Sequence, residues 1–581
     1  MNTHRVRLTL QVLALLPMIG FLLIYIGDVF AVVGAFLLLM FIAVSLYRYS
    51  QKHPPFNTPL VVLLMGSFYL YAFYGLGSTQ TPQTFHTLKN GQGVTLFDFD
   101  TSVKIDEVCY YVGIDKNVNF TLESQSAKGW KKFYTYENSY PYSFRWKCIS
   151  TKLHTSKILL RITKNQMMLN EIRFRYQGEV LAYTNSKKYL NDEPTCEIDT
   201  GYYTGMFFDE IYFGRTAYEI MYDINVYENT HPYLGKYLII PGIKLFGMTP
   251  FGWRFMNVLF AGILIFMAYY FGLHLFKREE YAFTSAFLMT YSFMHLAQAR
   301  VGLIDTFGVL FVFISYFYLY RFIVGQQLSR LLVSGVFFGL SASVKWSAVF
   351  ASLGFVFIAL YLLWIRYPLA KRFAGYRLLL YGGLSYGIVA LLVYTLSFWE
   401  IGSMEYIINY NTNMYHYHST LQATHPYSSA WWSWLLDMKP MGYYKALKEG
   451  MLSSINSFGN PAIFWMGIVS LFYLIGVVVI RKSMEAGFIL FAFLGLYLPY
   501  ISVERLMFIY HIYYALPFLL LGIVYMFRDM IERFSLMRLA LWGYLLIVMC
   551  LFLAFYPVLS GYEIDNAYVS LWLKWFGTWW F

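Results

Sequence analysis

Charge is scarce in this chain: only 13% of its 581 residues are Asp, Glu, Lys or Arg, about half the share usual in soluble domains. That scarcity excludes an ordinary water-soluble enzyme. Cysteine is nearly missing as well, with Cys109, Cys148, Cys196 and Cys550 the full set. None falls in a zinc spacing or a catalytic Cys-His arrangement, so a zinc site and a disulfide-dense scaffold are set aside. No small-residue cleavage site follows the first apolar run. That run therefore reads as a retained helix, not a removed signal peptide.

What the chain has instead is apolar length. Hydrophobic residues make up 58% and aromatic residues 21%, with a mean hydropathy of +0.48. Runs long enough to cross a bilayer occur near 9–27, 28–47, 58–76, 255–273, 281–298, 302–320, 331–345, 347–365, 378–399, 462–480, 485–502, 507–527 and 537–557. The expectation is a polytopic α-helical membrane protein of about 13 transmembrane helices, with Trp and Tyr at the interfaces. The net charge of +12 is spread in short basic clusters between apolar runs, including Arg48, Lys277, Arg278, Arg321, Arg366, Arg481 and Arg528. That is the pattern of cytoplasmic loops, and no nucleic-acid partner is implied. With thirteen alternating helices the N-terminus is inside, and residues 77–253, 400–461 and 558–581 are extracytoplasmic. Cys109, Cys148 and Cys196 then lie in a compartment that permits disulfides. A Cys109–Cys148 bond suits that compartment, but the third cysteine leaves the pairing open.

Arg300, Lys345 and Arg505 break the charge rule, since they fall at expected extracytoplasmic helix ends. Cations at membrane depth usually have partners, such as a lipid-linked phosphate at headgroup level or neighbours like Asp305 and Glu504. Between the third and fourth runs the composition changes: 93–99, 107–112, 119–123 and 157–163 alternate polar and apolar residues. They predict an inserted extracytoplasmic β-sandwich-like domain. Gly129-Trp130 faintly resembles discoidin-like sugar-binding sandwiches, and a spacer or docking module explains the domain equally well. Asp98-Phe99-Asp100 looks like an Asp-x-Asp metal motif, but alternation puts both carboxylates on one face of a strand, so no metal role is assigned. Just before the fourth run stands the acidic pair Asp209-Glu210, a carboxylate couple of the kind that deprotonates an acceptor.

The order of motifs around that pair resembles protein O-mannosyltransferases. It runs through Phe208-Asp209-Glu210, His231-Pro232-Tyr233-Leu234-Gly235-Lys236, Arg254, Ala299-Arg300 through Asp305, and Ser343-Val344-Lys345-Trp346. It continues with Tyr417-His418, Thr424-His425-Pro426-Tyr427-Ser428-Ser429, Trp431-Trp432-Ser433-Trp434, Gly459-Asn460-Pro461-Ala462 and Arg505 through His511. The Thr-His-Pro-Tyr-Ser-Ser and Trp-Trp loop is similar to prokaryotic members in particular. The match spans roughly residues 200 to 530. It departs from the family in having Tyr233 where a second proline is usual, and in carrying two N-terminal helices and the β domain ahead of Asp209.

The resemblance implies a GT-C fold and a polyprenyl-phosphate-linked mannose donor. It implies single-displacement inversion at the anomeric carbon, with a Ser or Thr hydroxyl of a protein as the expected acceptor. In that scheme Asp209 is the base, Glu210 positions the acceptor or tunes Asp209, and Arg254, Arg300, Lys345 and Arg505 meet the donor phosphate. His231, Pro232, Lys236, Asp305, His425, Trp431 and Trp432 form the substrate loops. One phosphate on the donor removes the usual reason for a divalent metal, so neither metal nor cofactor is expected. The implied organisation is 1–84 N-terminal transmembrane helices, 85–195 β-rich domain, 196–253 first catalytic loop, 254–399 transmembrane core, 400–461 second large loop and 462–581 C-terminal helices and tail. The expected setting is a prokaryotic plasma membrane with the active site facing out. Two rival readings are a sibling enzyme that glycosylates a glycan, wall polymer or lipid, and a transporter of a lipid-linked substrate. Transport predicts charges along the helices, whereas these gather at helix ends and outer loops.

Overall fold

The computed structural model describes Met18, Phe21 and residues 58–137, 142–185, 190–367, 374–398 and 402–581. Apart from Met18 and Phe21, the runs expected at 9–27 and 28–47 lie outside the described residues. The chain divides into two compact units, one of Gly75–Glu228 with Ile239–Met256 and one of Met1–Tyr74, Asn229–Leu238 and Asn257–Phe581.

Among the described residues six helices are long and apolar enough to cross a membrane: Pro250–Phe276, Asp305–Gly325, Trp346–Trp364, Pro461–Arg481, Met484–Ser502 and Met537–Ser560. Leu60–Phe73, Leu328–Val344 and Leu380–Leu396 are apolar but shorter. The chain is a polytopic helical membrane protein. The run expected at 281–298 is two helices, Glu279–Thr290 and Phe293–Ala299, parted at Tyr291 and Ser292. The run expected at 507–527 opens as a 3₁₀ turn, Ile509–Tyr514, and becomes a regular helix only at Leu516–Arg533, where Pro517 sits in the first turn and needs no N–H partner.

Without a hydrophobic drive between helices in lipid, close packing depends on small residues at crossings. A Cβ on Gly495 of Met484–Tyr497 would run into the backbone of Gly354 of Ala351–Trp364, and one on Gly354 would run into the Tyr316 hydroxyl. Regions read as loops also carry structure: Met404–Thr420 is a helix, and Met441–Lys448, Met451–Ser457 and Ile564–Asp565 form a three-stranded sheet.

In the other unit the predicted strands are present but longer. Val94–Asp115 and Arg145–Lys164 pair antiparallel, with register shifts between Asp98 and Val103 and between Ile105 and Glu107. All eight strands join one hydrogen-bonded sheet. Two long strands with bulges carry the hydrogen-bond ladder through the described part of that sheet. Its core holds Phe97, Val108, Tyr110, Leu160, Leu169, Ile172 and Phe174, all buried. Asp98 of the Asp-x-Asp sequence is bound by Lys157 across the strand pair at 3.0 Å.

Cys109 and Cys148 lie directly opposite one another and form a disulfide, while Cys196 and Cys550 are not disulfide-bonded. The bond closes a sequence separation of 39 residues. Reduction or Cys109→Ser is expected to lower the stability of this unit by roughly 3–4 kcal/mol, read as a fall in its melting temperature under reducing conditions.

Candidate functional site

In the β-containing unit the acidic pair sits at the start of the helix Glu210–Met221. Asp209 is the N-cap residue, half-buried, and its side chain does not cap the helix. Phe208 before it has φ of 49°, a left-handed conformation that a bulky residue adopts only when its surroundings hold it there. The first-turn amides of the helix favour a negative charge at this end.

Glu210 has a different role from its neighbour. It is fully buried, and its two oxygens accept from Arg254 Nε at 2.6 Å and Nη2 at 2.8 Å. Arg254 also donates to the carbonyls of Leu76 at 2.8 Å and Gly205 at 3.0 Å. The guanidinium is itself fully buried, and its bonds join the helix start to two loop segments of the unit. This geometry makes Glu210 and Arg254 the brace that fixes Asp209, a correction to the reading of Arg254 as a phosphate contact.

In the helical unit Arg300 likewise faces inward. Its Nη1 donates to the carbonyls of Tyr71, Ala72 and Tyr74, and its Nη2 to that of Ser560. These carbonyls end the helices Thr58–Phe73 and Met537–Ser560. A cation there satisfies unpaired carbonyls and the negative ends of two helix dipoles. The misplaced charge at 300 is thus explained by helix termini and not by a lipid phosphate.

A second set of charges in this unit is more accessible. Lys345, at the end of Leu328–Val344, bonds Asp305 at 2.9 and 3.2 Å, with side-chain exposures of 13% and 5%. Asp305 opens the helix Asp305–Gly325. Gly235 lets the Thr230–Lys236 segment approach this pair, since an added Cβ would meet Ile304 Cγ2 at 2.7 Å and Val344 Cγ1 at 3.3 Å. Lys236 is buried and donates to the His231 carbonyl at 2.8 Å, which also accepts from Tyr410 at 2.8 Å. Pro232 is buried and His231 half-buried. Lys236 therefore holds the His-Pro turn rather than reaching outward.

His418, on Met404–Thr420, ties the segments together. Its Nε2 donates to the Thr230 carbonyl at 2.7 Å, and its Nδ1 accepts from Arg505 Nη1. Burial, the neighbouring His231 ring, Arg505 and Lys345 hold its pKa down to about 4, against a partial opposite effect of the Thr230 carbonyl. Arg505 lines an open cleft of about 650 Å³ with Thr424, His425, Ser428, Ser429 and Glu504. His425 accepts from the Tyr427 amide at 3.2 Å, and burial, then Lys439, lowers its pKa. Trp431 packs on Tyr497, whose hydroxyl donates to its carbonyl at 2.7 Å, whereas Trp432 is 56% exposed.

In the sequence His418 and Trp434 stand out only as members of longer motifs. Trp434 is the fully buried member of its loop, bonded to Ser429 and stacked on His511. Among the described residues, Glu107, Cys109 and Cys148, and separately Glu171, Asp192 and Glu193, are close enough to share an ion. The first set is committed to a disulfide, and neither contains a residue of the sites above.

Two family profiles match the chain. Residues 230–394 match "Dolichyl-phosphate-mannose-protein mannosyltransferase" and residues 403–579 match the "C-terminal four TMM region of protein-O-mannosyltransferase". A polyprenol-phosphate-mannose–protein mannosyltransferase of Corynebacterium glutamicum is 26% identical over 428 residues, 60% of this chain and 81% of the relative. One from Mycobacterium tuberculosis is 23% identical over 450 residues, 64% of this chain and 86% of the relative. The solved S. cerevisiae protein O-mannosyltransferase Pmt1-Pmt2 complex bound to the sugar donor aligns with a TM-score of 0.56 at 11% identity, over 64% of this chain and 89% of that one. The fold is shared. Asp209 and Glu210 precede the first matched residue of either profile.

Proposed function

From the premise that this chain belongs to the protein O-mannosyltransferase family, we propose that it transfers mannose from a polyprenyl-phosphate-mannose lipid to Ser or Thr hydroxyls of proteins. The observation that carries this reading is the pair of profile matches at 230–394 and 403–579, which contain His231, Asp305, Lys345, His418 and Arg505. The actinobacterial relatives are described by the same donor and the same class of acceptor.

The proposed scheme gives each group the role that the family resemblance implies. The acceptor hydroxyl oxygen attacks the anomeric carbon while its proton passes to the Asp209 carboxylate. The bond from that carbon to the phosphate oxygen breaks, and polyprenyl phosphate leaves with the electron pair. The departing oxygens gain charge, which Lys345 and Arg505 offset, Arg505 with the forked geometry suited to phosphate. The brace of Glu210 and Arg254 keeps the base in one orientation. No metal is required by this scheme, since the leaving group carries a single phosphate.

The active face is assigned to the extracytoplasmic side of a prokaryotic plasma membrane. The basic clusters between apolar runs support that orientation, as does a disulfide between Cys109 and Cys148, which persists in oxidising compartments. The eight-stranded sheet, which precedes the residues matched by the profiles, favours one alternative, a glycan or wall-polymer acceptor with the same donor.

Offered polyprenyl-phosphate-mannose or GDP-mannose together with Ser/Thr-rich peptide, the purified protein is expected to transfer mannose from the lipid donor alone. Transfer from the nucleotide donor at a comparable rate refutes the reading.

A further inference from the structure

We propose that His418 is a positioning residue that sets Arg505 at the donor phosphate, acting as a neutral link between Arg505 and the Thr230 carbonyl. This rests on the reading that Arg505 meets that phosphate.

The geometry specifies the tautomer. Nδ1 accepts from Arg505, so it carries no proton, and Nε2 donates to Thr230 at 2.7 Å, so it does. A single imidazole thereby joins the loop bearing Arg505 to the segment bearing His231. The His231 ring lies 5.5 Å away and that of Trp346 6.4 Å away. An arginine on the 503–508 loop would otherwise sample many rotamers, and fixing one of them keeps its remaining N–H groups aimed at an anion.

The charges facing the ring are those of Arg505, of Lys345 at the end of Leu328–Val344, and of the His231 side chain; the Thr230 carbonyl also faces it. All but the carbonyl oppose a proton on the ring. The sign is therefore fixed: the link is intact above the ordinary histidine value of 6.5 and is lost as pH falls through about 4. Protonated His418 would both lose its acceptor at Nδ1 and repel Arg505.

The test measures binding of a short-chain polyprenyl phosphate to the full-length protein in detergent, with melting temperature recorded for each variant. His418→Ala is expected to weaken binding by about ten- to hundredfold, the range for loss of a hydrogen bond to a charged group. Adding it to Arg505→Ala is expected to produce no further loss. His418→Asn keeps an acceptor near Nδ1 and retains most of the affinity, whereas His418→Gln keeps only the contact toward Thr230 and does not. The lipid phosphate loses its second charge near pH 6, a change that both proteins share; between about pH 5 and 4 wild-type binding falls further, and His418→Asn lacks that additional fall.

Binding by His418→Ala within about twofold of wild type, additive losses in the double variant, or equal behaviour of the Asn and Gln variants would each overturn the assignment. A wild-type protein that binds the lipid phosphate in this way yet transfers no mannose sinks the function proposed above and leaves the role of His418 standing.

Discussion

Asp209→Asn is expected to reduce mannose transfer by about 10²- to 10⁴-fold, the range that a positioned general base supplies. The substitution replaces one carboxylate oxygen by an amide nitrogen of nearly the same shape and removes the proton-accepting charge. The fold should survive, since the interactions that hold the turn belong to Glu210 and Arg254. Donor affinity should also survive, since the groups assigned to phosphate are Lys345 and Arg505. The expected signature is a fall in kcat with the donor KM within a few-fold of wild type. An undiminished rate removes Asp209 from the mechanism.

The second large effect is on stability. Glu210 and Arg254 are both fully buried and bonded to each other, and removing one partner leaves the other charge uncompensated in a dry environment. Such a loss costs about 3–5 kcal/mol. Arg254→Met is the more severe change, because it also strips the Leu76 and Gly205 carbonyls of their donor. It is expected to lower the melting temperature sharply and to abolish transfer together with it. The double variant Glu210→Gln/Arg254→Met no longer buries a lone charge, so it should recover part of the melting temperature without recovering activity. Recovery of activity in the double variant would mean that the pair contributes nothing to the orientation of Asp209.

The helices were legible where apolar runs are long, as at Pro461–Arg481 and Met537–Ser560. Hydropathy alone suffices in a bilayer, where every backbone group must be satisfied within the segment. Glu210–Met221 and Met404–Thr420 were read as loop because they are short and carry polar residues on several faces. The strand positions followed from alternation, but alternation cannot say how many sheets the strands join; that is decided by which strands pair, here Val94–Asp115 with both Arg145–Lys164 and Gln166–Tyr176.

The cations show the limit most clearly. Arg254, Arg300, Lys345 and Arg505 are equivalent in a sequence, each a basic residue beside a motif. Their partners are remote: Arg300 serves carbonyls separated from it by 226 to 260 residues, so no local pattern distinguishes a helix-end cap from a phosphate ligand. His418 was hidden for a similar reason. It stands in His416-Tyr417-His418, and only folding leaves His416 exposed while partly burying His418 between Thr230 and Arg505.

In the proposed reaction a polyprenyl phosphate delivers mannose to a protein hydroxyl. It is tested most directly by incubating the purified protein in lipid with polyprenyl-phosphate-mannose, acceptor peptide and cell-wall glycan together, and sequencing the products by mass spectrometry. The expected product is one hexose on Ser or Thr of the peptide, formed at least about a hundredfold more slowly in the Asp209→Asn reaction. Hexose found on the glycan alone, with the peptide unmodified, would contradict it.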